Sequence, residues 1–182
     1  MSCGITTKTT MWSTAVEYFR VFQRGLNSSD EMQLVDLNIL KTAMAPDLDA
    51  GTVRGFKNLV KSWKVFSNAF QEVRVQLGRL DQTSETSLMA TTTTSITITE
   101  NSLTTMFPYL SARVAAKILG HRLVLRGSML FEWDSINNHV ARLSFQADMM
   151  SPILELLGNL EDVSLVFTDA RIRPDCNLVN EV

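Results

Sequence analysis

Histidine and cysteine are nearly absent from this chain, and so is any excess of charge of one sign. Two histidines, His121 and His139, and two cysteines, Cys3 and Cys176, occur in 182 residues. They lie far apart and match no Cys/His ligand spacing, so no metal centre is expected. The two cysteines sit at opposite ends and read as free thiols of a reducing compartment. Seventeen Lys and Arg against 19 Asp and Glu leave a net charge of -2. That balance lacks the basic footprint of a nucleic-acid-binding domain, so no direct contact with DNA or RNA is expected. No apolar run approaches the roughly 18 residues of a membrane span. The opening MSCGITTKTT lacks the apolar segment of a secretory signal. A nuclear or cytoplasmic setting is expected. A Gly-x-Ser-x-Gly elbow and a glycine-rich phosphate loop are also missing, so neither a serine triad nor a cofactor is expected.

What is present is apolar material, 45% of the chain, and it is strongly patterned. From Gly120 to Met150 the sequence reads as two long strands around a short turn. Leu123, Leu125, Gly127, Met129, Phe131 and Trp133 alternate with Arg122, Val124, Arg126, Ser128, Leu130 and Glu132. A period of two places these sets on opposite faces of a sheet. On the return strand Ala141, Leu143, Phe145, Ala147 and Met149 alternate with Val140, Arg142, Ser144, Gln146 and Asp148. Asp134 to Asn138 carries turn chemistry. One face is committed to a core and the other is mixed.

Upstream, Trp12, Val16, Phe19 and Leu26 fall at helical spacing from Thr10 onward. A second helix is expected over about 30–44, broken at Ala45-Pro46-Asp47. A third, from Thr52, carries Val53, Phe56, Trp63 and Phe66 on one stripe and Lys57, Lys61 and Lys64 on the other. Strands follow at about 70–81 and 87–99; the second alternates Leu88, Ala90, Thr92, Thr94, Ile96 and Ile98 against a Thr- and Ser-rich face. A helical insertion with Asn101 as cap is expected at about 101–119, and two short helices at 151–157 and 159–167. The organisation is one α+β domain over 10–168, with a disordered tail at 1–9 and a C-terminal tail at 169–182. Its N-terminal helices pack on a curved antiparallel sheet.

Phe131-Glu132-Trp133-Asp134, then Asn137-Asn138, the return strand Val140 to Asp148 and the stretch Met149 to Leu157 form a recognisable order. It resembles the nuclear transport factor 2-like fold, a cone-shaped sheet wrapped around a long helix, over about residues 10–157. A narrower resemblance rests on TMWSTAVEYFRVF (10–22), TTSITITENSLTTMFP (93–108), AAKILGHRLVLRGSMLFEWDS (115–135), SPILELLGNLEDVSLVF (151–167) and CNLV (176–179). Together these are similar to the C-terminal region of oomycete basic-leucine-zipper (bZIP) proteins, which implies a transcription-factor setting. No Lys/Arg-rich helix and no leucine heptads precede Trp12. The sequence reads either as a fragment or as a zipper-less paralogue.

Two functional readings follow. The first is a non-catalytic domain that binds a ligand or associates, as a homodimer or with related bZIP-associated domains. Its interaction face would be the mixed side of the hairpin: Val124, Arg126, Leu130, Glu132, Val140 and Arg142. The second is a small lyase or isomerase acting on an apolar molecule inside the cone. It would need Asp47 or Asp148, with a raised pKa, to point into a pocket lined by Trp12, Tyr18, Phe56, Trp63 and Phe131. The first reading names no catalytic residue.

Overall fold

The hairpin expected at the centre of the chain is the centre of the sheet. The computed structural model describes residues 3–26 and 31–179, with side chains from residue 10 onward. Strand β4 (Arg122–Asp134) pairs antiparallel with β5 (His139–Ala147) on one side and β3 (Ser87–Thr97) on the other. β2 (Gln71–Ser84) pairs antiparallel with β3 at one edge. At the other edge β1 (Met44–Asp49) runs parallel to β5, giving the order β1-β5-β4-β3-β2. The sheet is therefore mixed, mostly antiparallel, within an α+β fold.

Seven helices complete the described chain: α1 (Cys3–Val21), α2 (Glu31–Thr42), α3 (Phe56–Ala69), α4 (Glu100–Met106), α5 (Ala112–Ile118), α6 (Met150–Leu157) and α7 (Leu160–Phe167). None is long and apolar enough to cross a membrane. α3 begins at Phe56 and not at Thr52, so Val53 precedes it; of the expected stripe Phe56 and Phe66 are buried and Trp63 half-buried, Leu59 is buried beside them, and Lys57, Lys61 and Lys64 face out. α1 brings Tyr18 and Phe19 edge-on to Phe131 of β4, with ring centroids at 5.7 and 5.9 Å, which ties the helix to the concave face of the sheet.

Several expectations need correcting. α1 starts at Cys3, seven residues before Thr10, so residues 3–9 are helical instead of a disordered tail. Each residue added to an existing helix gains a hydrogen bond without a new nucleation cost, so a packed helix can extend into a weak helix-former run. Residues 1–2, the loop at 27–30 and residues 180–182 lie outside the described residues. α2 ends at Thr42, shortly before the expected break, but Ala45-Pro46-Asp47 themselves lie in strand β1. An edge strand tolerates proline because one side of it makes no ladder. On α2 only Leu37 and Leu40 are buried, and Met32, Val35 and Ile39 are exposed. The cap of α4 is Thr99, whose hydroxyl accepts from the Ser102 N–H at 3.2 Å while Ser102 Oγ accepts from the Thr99 N–H at 2.9 Å. That reciprocal box displaces the expected Asn101.

The most consequential correction is at Val140. Glu132 is level with Arg142, but Trp133 is level with Val140, so β5 carries one extra residue there. This bulge reverses the facing of the strand end. Val140 is 1% exposed and belongs to the core, and Ala141 is only half-buried. Val140 is therefore removed from the proposed interaction face.

Candidate functional site

A cavity on the concave side of the sheet and the open convex side can each engage another molecule.

The cavity has a volume of about 90 Å³, opens to solvent on one side, and is bordered by α1, α3, the loop joining β1 to α3, the inner face of β3–β4–β5, and the C-terminal strap at 176–178. Tyr18 enters from α1 and Trp63 from α3, and the Tyr18 hydroxyl accepts a hydrogen bond from Trp63 Nε1 at 3.0 Å. Trp63 is held flat by stacking on Phe22, 4.8 Å between centroids and 8° between planes. Burial pushes the Tyr18 hydroxyl pKa well up, and the Trp63 bond offsets this in part. Met129, Leu143 and Phe145 form the floor. Thr94 borders the cavity, is 2% exposed, and has no hydrogen-bond partner for its hydroxyl. The strap is fixed to the C-terminal end of β5: the Ala147 N–H donates to Asp175 O at 2.9 Å, and Asn177 Nδ2 donates to Phe145 O at 2.9 Å. It places Cys176 in the wall, where burial first, and then the nearby Asp175 charge, push the thiol pKa up to about 12.

Of the residues expected to line a pocket, Tyr18 and Trp63 do so; Trp12, Phe56 and Phe131 do not. Trp12 lies six helical positions before Tyr18, which turns it about 120° away from Tyr18 around the helix. There it is half-buried against the core. Phe131 is sealed under Tyr18 and Phe19, and Phe56 packs into the core at the start of α3. The two carboxylates weighed as general acids lie elsewhere. Asp47 is exposed on β1. Asp148 is exposed and accepts from the Ser151 N–H at 3.0 Å and from the Ser151 hydroxyl, so it serves the first turn of α6. Those bonds hold its pKa below the usual carboxylate value, opposite to what an acid catalyst needs.

Sequence reasoning missed Thr94, Cys176 and Asn177 as cavity residues. A signal existed for Thr94, a polar residue on the inward set of β3, since a buried polar group is the informative exception in a core. No periodic signal marks the strap.

The convex face is uncovered. On β3 its outward residues are Met89, Thr91, Thr93, Ser95 and Thr97, with no charge among them, and every one is exposed or half-buried. Beside them on β4, Val124 is 54% exposed, Arg126 and Ser128 follow, and Leu130 is half-buried. Glu132 pairs with Arg142 across the strands at 3.4 Å, and Arg142 also reaches Asp49 at 3.3 Å. Five of the six expected face residues thus lie together, Val140 excepted. Among the described residues no group of three or more His, Cys, Asp or Glu side chains is arranged to hold a metal ion.

Residues 12–69, from the body of α1 to the end of α3, match the family model described as the BZIP transcription factor 1 C-terminal domain. No curated protein matches the chain. Among solved structures, a SnoaL-like polyketide cyclase from Agrobacterium tumefaciens superposes with a TM-score of 0.57 and 13% identity, over 81% of this chain and 98% of that one. TsrD from Streptomyces laurentii gives 0.56 and 13%, over 84% and 97%. An NTF2-like protein of unknown function from Burkholderia pseudomallei gives 0.51 and 14%, over 87% and 100%. At these identities the likeness is one of fold. The nuclear transport factor 2-like architecture extends over most of the chain, and the likeness to the bZIP C-terminal domain covers α1 to α3 with the edge strand β1.

Proposed function

We propose that this chain, whose residues 12–69 match the C-terminal domain of a bZIP transcription factor, is a non-catalytic association domain of a bZIP-type regulator. It pairs with a second copy, or with a related bZIP-associated domain, through the convex face of β3, β4 and β5. The observation that carries this reading is the composition of that face. Its centre is a carpet of Thr and Ser side chains with Met89, Leu130 and Val124 among them and a single cation, Arg126, level with Thr93, and the outward side of β3 is uncharged. Interface centres are depleted of charge, and short side chains let two sheets approach to about 10 Å. Thr and Ser also lose little rotamer freedom when covered, so ordering them opposes association only weakly. The Glu132–Arg142 pair sits at the margin, where a charged rim is expected. An isologous pair would set the same patch against itself about a two-fold axis.

Co-purification tests this reading. A tagged copy is expected to retain an untagged copy of the chain, or the C-terminal domain of a zipper-bearing relative. Arg126→Glu combined with Leu130→Asp is expected to abolish retention without unfolding the domain. Retention that is unchanged in the double variant would reject the convex face as the interface.

A further inference from the structure

We propose that the cavity behind the sheet is a binding site for a neutral, apolar carbonyl compound, held through its oxygen by Tyr18 and Thr94. This site is separate from the convex face and does not depend on association.

Three observations carry it. The first is an unmet donor. The Tyr18 oxygen accepts from Trp63 Nε1, but its own O–H proton finds no acceptor among the described residues, although Tyr18 is 1% exposed. A buried phenol normally places that proton on a partner. The second is the Thr94 hydroxyl, which is shut off from solvent and unpartnered beside the same cavity. A turn about its χ1 bond presents the hydroxyl to an occupant, and Thr has staggered alternatives available. Two donors without acceptors border this cavity, one from α1 and one from β3, and together they favour a ligand that brings an acceptor.

The third observation is the charge of the lining. The lining is mostly apolar, with Leu59, Phe66, Met129, Leu143 and Phe145 prominent; the other polar members, Thr52, Ser62 and Asn177, are neutral, and it holds no Lys, Arg, His, Asp or Glu. The Cys176 thiol in the wall stays protonated at neutral pH. An ionised ligand would lose its hydration with nothing to pair it, so the occupant is neutral. Size narrows the class further. The space of about 90 Å³ exceeds what a few waters need but is below the cavity of roughly 150 Å³ that encloses benzene. It takes an acyl end or the leading edge of a ring. The remainder leaves by the mouth, which is bordered by half-buried Thr52, Val53, Ser62 and Leu178.

Three compounds of one shape separate the terms of this proposal: acetophenone, which is neutral with an acceptor; ethylbenzene, which lacks the acceptor; and benzoate, which is charged. Each is titrated into the full chain while the methyl signals of Met129, Leu143 and Thr94 are followed by NMR. Acetophenone is expected to give saturable shifts at these methyls. Ethylbenzene is expected to bind more weakly by about two- to tenfold for each of the two hydrogen bonds it cannot make, up to about a hundredfold in all. Benzoate is expected to give none. Tyr18→Phe and Thr94→Val are each expected to remove part or all of the preference for acetophenone over ethylbenzene. No saturable shift with acetophenone, equal shifts with benzoate, or an undiminished preference in both variants would overturn the assignment. The comparison of the three compounds on the unaltered chain stands even if a variant fails to fold.

Discussion

Replacing Gly127 by Ala is expected to break the central hairpin. Gly127 lies mid-strand in β4, level with Ala147 of β5. A Cβ added there would overlap the Gln146 carbonyl oxygen and stand 2.9 Å from both Cα and Cβ of Ala147. Ordinary carbon contacts are about 3.5–4.0 Å, and two of the three obstructing atoms are backbone, which cannot rotate away. β5 must therefore move off β4 and weaken the ladder around Ala147. Overpacking of this kind costs about 1–3 kcal/mol, and each hydrogen bond lost adds about 1 kcal/mol. A total near 3 kcal/mol lowers the melting temperature by roughly 6–12 °C for a chain of this size. Gly78→Ala is the control. Its Cβ would meet only Thr91 O at 3.3 Å, on the outermost strand pair, and it is expected to shift the melt by no more than about 2 °C. Melts followed by circular dichroism decide the matter. A Gly127→Ala protein melting with the unaltered chain would refute the close-approach argument and the strand register on which it rests.

Other consequences are equally open to measurement. Val140→Asp is expected to destabilise the fold by about 3 kcal/mol or more, whereas Val124→Asp leaves thermal stability nearly unchanged; the reverse order in denaturant melts would remove the bulge. Asp162, 8% exposed at its side chain, takes a two-point bond from Arg113 at 2.8 and 3.1 Å and a third from Asn159 Nδ2 at 3.1 Å. Arg113 first, and then Asn159, hold its pKa below the unfolded value. Its stabilisation is therefore complete above about pH 4 and is lost as pH falls below that. Asp162→Asn is expected to flatten the acid limb of a stability–pH curve, and an unchanged limb would exclude the pair as its origin. Cys176 in a Cys3→Ser background is expected to resist Ellman's reagent at pH 8 until denaturant is added, because the thiolate is the reactive form and the thiol pKa is pushed up to about 12. Fast labelling of the folded chain would contradict that burial.

The features of the fold that could be read in advance were those with long, clean periods. The inward set of β4, the lysine side of α3 and the Thr-rich outward side of β3 each follow from alternation or helical spacing alone. Gly127 stood out as an irregular member of an apolar set, and it marks where two backbones come close. What escaped were features set by tertiary context. Pro46 is a helix breaker by local rules, yet it sits in an edge strand paired to β5, a partner far away in sequence. The bulge that buries Val140 inserts a single residue, which a period of two cannot reveal. The cavity was half legible: Tyr18 and Trp63 were expected, but which aromatics face a void and which are sealed depends on the rotation of α1 against the sheet. The strap bearing Cys176 and Asn177 folds back onto β5 through a backbone hydrogen bond and one from the Asn177 amide, and neither leaves a periodic pattern in the sequence.

The central proposal, association through the convex face, is tested most directly by the mass of the purified chain in solution. Light scattering is measured over a dilution series beside the Arg126→Glu, Leu130→Asp variant. The account predicts about twice the 20.4 kDa chain mass for the unaltered protein and a single folded chain for the variant. A mass of one chain at every concentration would contradict self-association, as would a dimer that the double substitution leaves intact.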